Sequence, residues 1–184
     1  MNIYAIVLAA GKGTRMKSDL PKVAHEVLYK PMIKHVCDEL KKIDVTQTIV
    51  VVGHKAEVVK NIMQDEVTYV MQEEQLGTGH AVKMAYDLLK DKEGITLVLN
   101  GDAPLIRKET LEALIKTHVD NENKATLMSA HCDTKFPFGR IVRNEQGNVL
   151  GIVEAKDATP EQLQITEMNT GEYCFDNQLL FDAL

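Results

Sequence analysis

Three short apolar runs, Ile3–Ala9 (IYAIVLA), Thr48–Val52 (TIVVV) and Ile95–Leu99 (ITLVL), recur along the chain with amphipathic helical patterns between them. A strand with one solvated face alternates apolar and polar residues. These runs do not alternate, so both faces of each strand must be covered. Few folds meet that demand. Strands separated by helices make βα units, and repeated βα units make a Rossmann-like α/β fold: an open, mainly parallel twisted sheet with helices on both faces.

The helical patterns are Ile33, Val36, Cys37 and Leu40 behind Pro31, which suits a first helical turn; Ala56, Val59 and Met63; Ala81, Val82, Ala85, Leu88 and Leu89, opened by Gly79; and Leu111, Leu114, Ile115 and His118. Val67–Met71 and Ala125–Ala130 read as further strands. From Gly139 the pattern changes. Arg140–Arg143 and Val149–Glu154 flank the turn-rich Glu145-Gln-Gly-Asn148, the pattern of an antiparallel hairpin. A strand over Glu167–Phe175 and a last helix ending at Leu184 complete the chain. No linker, repeat or low-complexity tract interrupts residues 1–184, which read as one domain.

Charge narrows the function. A net charge of −6 argues against general binding of nucleic acid or an anionic membrane surface. Cys37, Cys132 and Cys174 are odd in number and lack a CxxC pair, as expected of reduced thiols rather than a disulfide framework. The opening apolar run is too short for a signal peptide or a membrane span, so a cytoplasmic location is expected. Against this acidic background Lys12, Arg15, Lys17 and Lys22 crowd one segment with Asp19 as its only acid. A small positive island suits a small polyanion.

That island follows the first strand, and in open α/β sheets ligands sit outside the carboxyl ends of strands. Gly11 and Gly13 let the backbone approach a ligand so that N–H groups can meet anionic oxygens. Neither common nucleotide motif is present. Met16 stands at the third glycine of a G-x-G-x-x-G fingerprint, and no glycine precedes Gly11-Lys12 at Walker A spacing. From these residues alone a tight turn with solvated lysines is the competing reading.

Asn100-Gly-Asp102 ends the Ile95–Leu99 strand and puts a carboxylate at the same sheet edge. Asp102 can serve a Mg²⁺ ion, which takes one or two carboxylates plus substrate phosphates, or it can merely cap the helix starting near Lys108. Gln72-Glu-Glu-Gln-Leu-Gly-Thr-Gly-His-Ala81 follows the third strand. The Gln72 amide can match a uracil edge, and Gly77 and Thr78 expose backbone where a helix begins. His80 reads as an ordinary first-turn residue. Glu154, taken alone, reads as a surface charge at a strand end.

The segment Leu8-Ala-Ala-Gly-Lys-Gly-Thr-Arg15 followed by Pro21-Lys22 resembles the signature of the sugar nucleotidyltransferases, which join a sugar 1-phosphate to a nucleoside triphosphate and release pyrophosphate. The resemblance implies that Leu8, Ala9, Ala10, Gly11 and Gly13 wrap the triphosphate. Arg15 then meets the leaving phosphates, Lys22 neutralises charge at the reacting ones, and Asp102 ligates Mg²⁺. Q-x-x-x-x-G-T-G-H-A from Gln72 is similar to the uridine-binding segment of one subgroup, the N-acetylglucosamine-1-phosphate uridyltransferases. Phe138-Gly-Arg-Ile, Ile152-Val-Glu154-Ala-Lys-Asp-Ala-Thr159 and Glu167-Met-Asn169-Thr-Gly171 match that subgroup in order, with Phe138 where tyrosine is usual. There the resemblance implies sugar contacts for Gly139, Glu154 and Asn169. The substrates implied are UTP and N-acetylglucosamine 1-phosphate. In that subgroup the polypeptide continues to a second Mg²⁺-binding asparagine and a trimerising β-helix acetyltransferase domain, none of it within Met1–Leu184. The alternatives are a sibling enzyme with another base or sugar, or a nucleotide-binding chain without turnover.

Overall fold

The computed structural model describes every residue except 14 and 15. Its elements run β1 (Ile3–Ala9), β2 (Glu26–Val27), β3 (Lys30–Pro31), α1 (Met32–Leu40), β4 (Gln47–Val52), α2 (Ala56–Met63), β5 (Thr68–Met71), α3 (Thr78–Lys83) and α4 (Tyr86–Leu89). Then follow β6 (Ile95–Asn100), α5 (Lys108–Asp120), β7 (Ala125–His131), β8 (Arg140–Arg143), β9 (Val149–Val153), β10 (Glu167–Asp176) and α6 (Asn177–Asp182). The chain divides into two compact units, residues 1–126 with 173–184 and residues 127–172.

In the first unit the strand order is β5-β4-β1-β6-β10. The first four strands are parallel, and Tyr173–Asp176 of β10 run antiparallel to β6. Tyr4, Ile6 and Ala10 face Ala81, Val82, Ala85, Leu89, Leu180 and Phe181 of α3, α4, α6 and their junctions. Side chains alternate along a strand, so Ala5, Val7 and Ala9, all at most 3% exposed, point to the other face. There α1 packs on β1 with its buried Ile33, Val36, Cys37 and Leu40, and α5 packs on α1. Coverage of both faces is why β1 carries no alternation. Each aliphatic side chain fully removed from water stabilises by about 1.5–3 kcal/mol.

The second unit is antiparallel. Strands β8 and β9 form the expected hairpin, and the Met168 end of β10 pairs with β8 while β7 also pairs with β10. Glu167 fastens this unit. It accepts from Arg143 Nε and Nη2 at 2.7 and 2.6 Å and from Ser129 Oγ at 2.7 Å. The Arg143 guanidinium, aided by the Ser129 hydroxyl, holds its carboxyl at about 2.

Three local readings change. The helix expected over Ala81–Leu89 is two segments opened by Gly77, not Gly79. Met84 and Ala85 donate to Ala81 O and Val82 O, tight three-residue bonds that interrupt the α ladder while Ala81, Val82, Ala85 and Leu89 stay buried. The last helix stops at Asp182, where the Ala183 N–H bonds back to Leu179 O. The β2–β3 hairpin was not legible because its turn residues, Leu28 and Tyr29, lack turn chemistry. Both nonetheless hold left-handed φ of 51° and 62°. Among the described residues no helix is long and apolar enough to cross a membrane.

Candidate active site

From β1 the parallel strands extend both ways, to β4 and β5 on one side and to β6 on the other. Such a switch point opens a crevice at the carboxyl ends of the strands. Here it is a crevice of about 300 Å³ within the first unit. Its walls are Leu8 and Ala9 at the end of β1 with Ala10, Gly11 and Gly13 beyond it, Lys22 and Val23, then Gln72, Gln75, Gly77, Thr78 and Ala81 after β5, and Asn100 at the end of β6 with Asp102 beyond it.

Glycines make this convergence sterically possible. A Cβ on Gly101 would lie 2.9 Å from Leu8 O, and the Gly101 N–H donates to that oxygen at 2.9 Å, tying the ends of β6 and β1 together. Gly13, at φ +59°, packs so closely that a Cβ would meet Lys22 Cβ at 2.9 Å. Gly11 differs. Among the described residues, nothing beyond its chain neighbours lies within 4 Å of its missing Cβ, so no described side chain covers its backbone. Gly77 has φ +109°, a conformation that side chains rarely adopt.

Lys22 and Asp102 form an ion pair across the crevice. Their side chains are 45% and 26% exposed, so the pair adds little to stability, and either partner can be exchanged for a ligand. Lys55, after β4, holds the backbone at Asp19 by donating to Asp19 O at 2.5 Å. Gln72 is buried. Its Nε2 donates to Gly77 O at 3.2 Å and meets His80 Nδ1 at 3.0 Å.

In the second unit, Arg140 of β8 pairs with Val153 of β9 and Met168 of β10. One step along antiparallel strands, the same register puts Gly139 opposite Glu154 and Asn169. A Cβ on Gly139 would lie 3.2 Å from Glu154 Oε1 and 3.6 Å from Asn169 Cβ, while Asn169 N–H donates to Gly139 O at 2.8 Å. The three residues expected to contact sugar form one row, with Asn169 in β10 and Gly139 and Glu154 one residue beyond the ends of β8 and β9. Behind it Arg140, 1% exposed, donates to the carbonyls of Thr134, Phe136 and Phe138 and fixes the loop leading into Gly139.

Arg15 lies outside the described residues. Lys55, Gln75, His80, Asn100 and Arg140 escaped sequence reasoning as site residues. Lys55 reaches Asp19 and His80 reaches Gln72, while Gln75 and Arg140 bond to carbonyls of their own loops, and neither helical nor strand periodicity marks such links. The cysteines offer no nucleophile in the interior, since burial pushes the Cys37 and Cys174 thiols up to about 12. Among the described residues no group of three or more His, Cys, Asp or Glu side chains could hold a metal ion alone.

An open parallel sheet with a bare-backbone loop, a cation and a carboxylate at one switch point has the architecture of nucleotide-handling α/β proteins. The chain belongs to the nucleotidyl transferase family, whose profile matches residues 4–184. Over all of its length it is 54% identical to the bifunctional protein GlmU of Exiguobacterium sibiricum and 52% identical to that of Streptococcus mutans. It spans 41% and 40% of those two proteins. Among solved structures, a Bacillus anthracis protein described as a glucose-1-phosphate thymidylyltransferase shares the fold with a TM-score of 0.81 at 21% identity. The match covers 97% of this chain and 73% of that one. A CMP:2-keto-3-deoxy-manno-octonic acid synthetase matches with a TM-score of 0.72 at 18% identity, covering 100% of this chain and 77% of that one.

Proposed function

We propose that the chain transfers a uridylyl group from UTP to N-acetylglucosamine 1-phosphate, giving UDP-N-acetylglucosamine and pyrophosphate for cell-envelope synthesis in the cytoplasm. The observation that carries this reading is the crevice itself: Gly11, Lys22, Gln72, Gly77, Thr78 and Asp102, from three strand ends, line one cavity. Its volume suits a small ligand. The identity with GlmU proteins supports the choice of substrates.

In this reading a phosphate oxygen of the sugar 1-phosphate attacks the α-phosphorus of UTP in line, and the bond to the β-phosphate breaks. The nucleophile, with a second pKa of about 6, is already anionic at neutral pH, so no general base is required. Catalysis rests on alignment and on countering negative charge. The loop Leu8–Gly13 offers backbone N–H groups to the triphosphate. Lys22 leaves Asp102 for the reacting phosphates, and Arg15 holds the departing pyrophosphate with a fork that lysine cannot copy. Gln72 reads the base, with Gly77 and Thr78 beside it. In the second unit the row of Gly139, Glu154 and Asn169 takes the sugar, a carboxylate and an amide being suited to hydroxyl and acetamido groups.

Asp102 fits a divalent cation, Mg²⁺ in this reading, because its carboxylate already holds a cationic group, the Lys22 ammonium, at the crevice wall. A single carboxylate completed by substrate phosphates is an ordinary Mg²⁺ environment, and the ion would supply charge neutralisation at phosphate oxygens. Pyrophosphate release from UTP, Mg²⁺ and N-acetylglucosamine 1-phosphate tests the proposal. Release that depends on the sugar phosphate is expected; UTP binding with no release would reduce the chain to a nucleotide-binding protein.

A further inference from the structure

We propose that His80 is a positioning residue that locks the Gln72 amide in one orientation and thereby sets which pyrimidine the crevice accepts. The proposal rests on the reading that Gln72 meets the base. A carbonyl can only accept, so the Gln72 group 3.2 Å from Gly77 O is the NH₂. The same nitrogen lies 3.0 Å from His80 Nδ1, which therefore accepts and makes His80 the neutral Nε2–H tautomer. Among the described residues, both side-chain hydrogen bonds of Gln72 thus leave from Nε2, and they end on two different groups, the Gly77 carbonyl before α3 and an imidazole within it. The main chain of Gln72 is held as well, its N–H by Val52 O at 2.8 Å and its carbonyl by Gln75 Nε2 at 3.3 Å. A flip would set the amide oxygen against the Gly77 carbonyl, two acceptors with no proton between them, and would require the His80 proton to move from Nε2 to Nδ1.

With the NH₂ turned to the protein, the oxygen is what Gln72 has to offer a ligand on the crevice wall. An acceptor selects a ring edge that donates. Set against ring position N3, the oxygen meets N–H in uracil and a lone pair in cytosine, whose donor is the amine at C4. His80 therefore favours uracil without touching it, and Gly77 O alone is a weaker lock than the pair.

The test is calorimetric titration of the chain with UTP and with CTP, each with Mg²⁺, for the unmodified protein and for His80→Leu and His80→Asn. The unmodified chain should prefer UTP. His80→Leu, which removes the acceptor, should cut the UTP-to-CTP preference about tenfold, as expected for one orienting hydrogen bond. His80→Asn, whose side-chain oxygen can accept, should recover part of it. Equal weakening of both nucleotides overturns the proposal, because lost structure does not discriminate bases. A UTP preference that survives His80→Leu overturns the lock and leaves Gln72 as base reader. No preference in the unmodified chain overturns both.

Discussion

The crevice of the first unit and the residue row of the second are built by opposite means. The crevice gathers loops from three parallel strand ends, and glycines stand in its wall, one packed tightly against Lys22, Gly13, and one, Gly11, with no described side chain over it. The row uses three single residues in or beside antiparallel strands, aligned because Arg140 pairs with Val153 and Met168. A backbone site needs a contiguous run of small residues, so it leaves a motif in the sequence. A register site needs one residue per strand, so it leaves scattered letters that mean little one at a time.

The difference can be broken or sharpened by mutation. The largest effect is expected from Asp102→Asn, which removes the crevice carboxylate. Turnover should fall roughly 10³-fold with UTP while the thermal midpoint stays close to that of the unmodified chain. A change of less than tenfold would take Asp102 out of the reacting site.

Next comes the framework of the second unit. Glu167 has its carboxyl held at about 2, below the ordinary value of 4.5. The folded state thus binds its proton less readily than the unfolded chain, and the stability it contributes is complete above about pH 4.5 and lost as pH falls toward 2. Glu167→Gln should cost about 2 kcal/mol at neutral pH and abolish that acid-sensitive step in hydrogen exchange of residues 127–172. In the first unit the sensitive group is His118, buried at 3% exposure beside Thr126 Oγ1 at 3.0 Å, where burial lowers its pKa from 6.5. Its contribution is present above pH 6.5 and declines below it. The first unit should therefore begin to loosen at a higher pH than the second, and His118→Gln should remove the difference.

Gly139→Ala tests the row directly. The added methyl would sit 2.9 Å from Ile152 Cγ2 and 3.2 Å from Glu154 Oε1. KM for N-acetylglucosamine 1-phosphate should rise about tenfold, about 1.4 kcal/mol, with KM for UTP unchanged. A matching rise for UTP would erase the division of labour between the two units.

The smallest effect is a gain. Tyr29 is 97% exposed and held at φ 62°, so Tyr29→Gly should raise stability by about 0.5–1 kcal/mol in a denaturant titration, with both KM values unaltered. A loss of stability would mean that the tyrosine side chain has a partner worth more than the strain.

The non-alternating runs at Ile3–Ala9, Thr48–Val52 and Ile95–Leu99 determined the parallel, doubly covered sheet by themselves, since continuous apolar residues tolerate no solvated face. The Gly11–Lys22 segment and the Gly101-Asp102 pair announced the crevice for a similar local reason. Other features had no local code. The break between α3 and α4 preserves the apolar spacing that a continuous helix would show, so periodicity could not reveal it. The Leu28-Tyr29 turn violates its own residue preferences. The Lys22–Asp102 ion pair, the Gln72–His80 contact and the Gly139–Glu154–Asn169 row arise only when strands settle into register and loops meet. Local pattern can state which faces must be buried; which side chains then stand opposite each other is set by pairings between residues remote in the chain, and those exist only in the folded molecule.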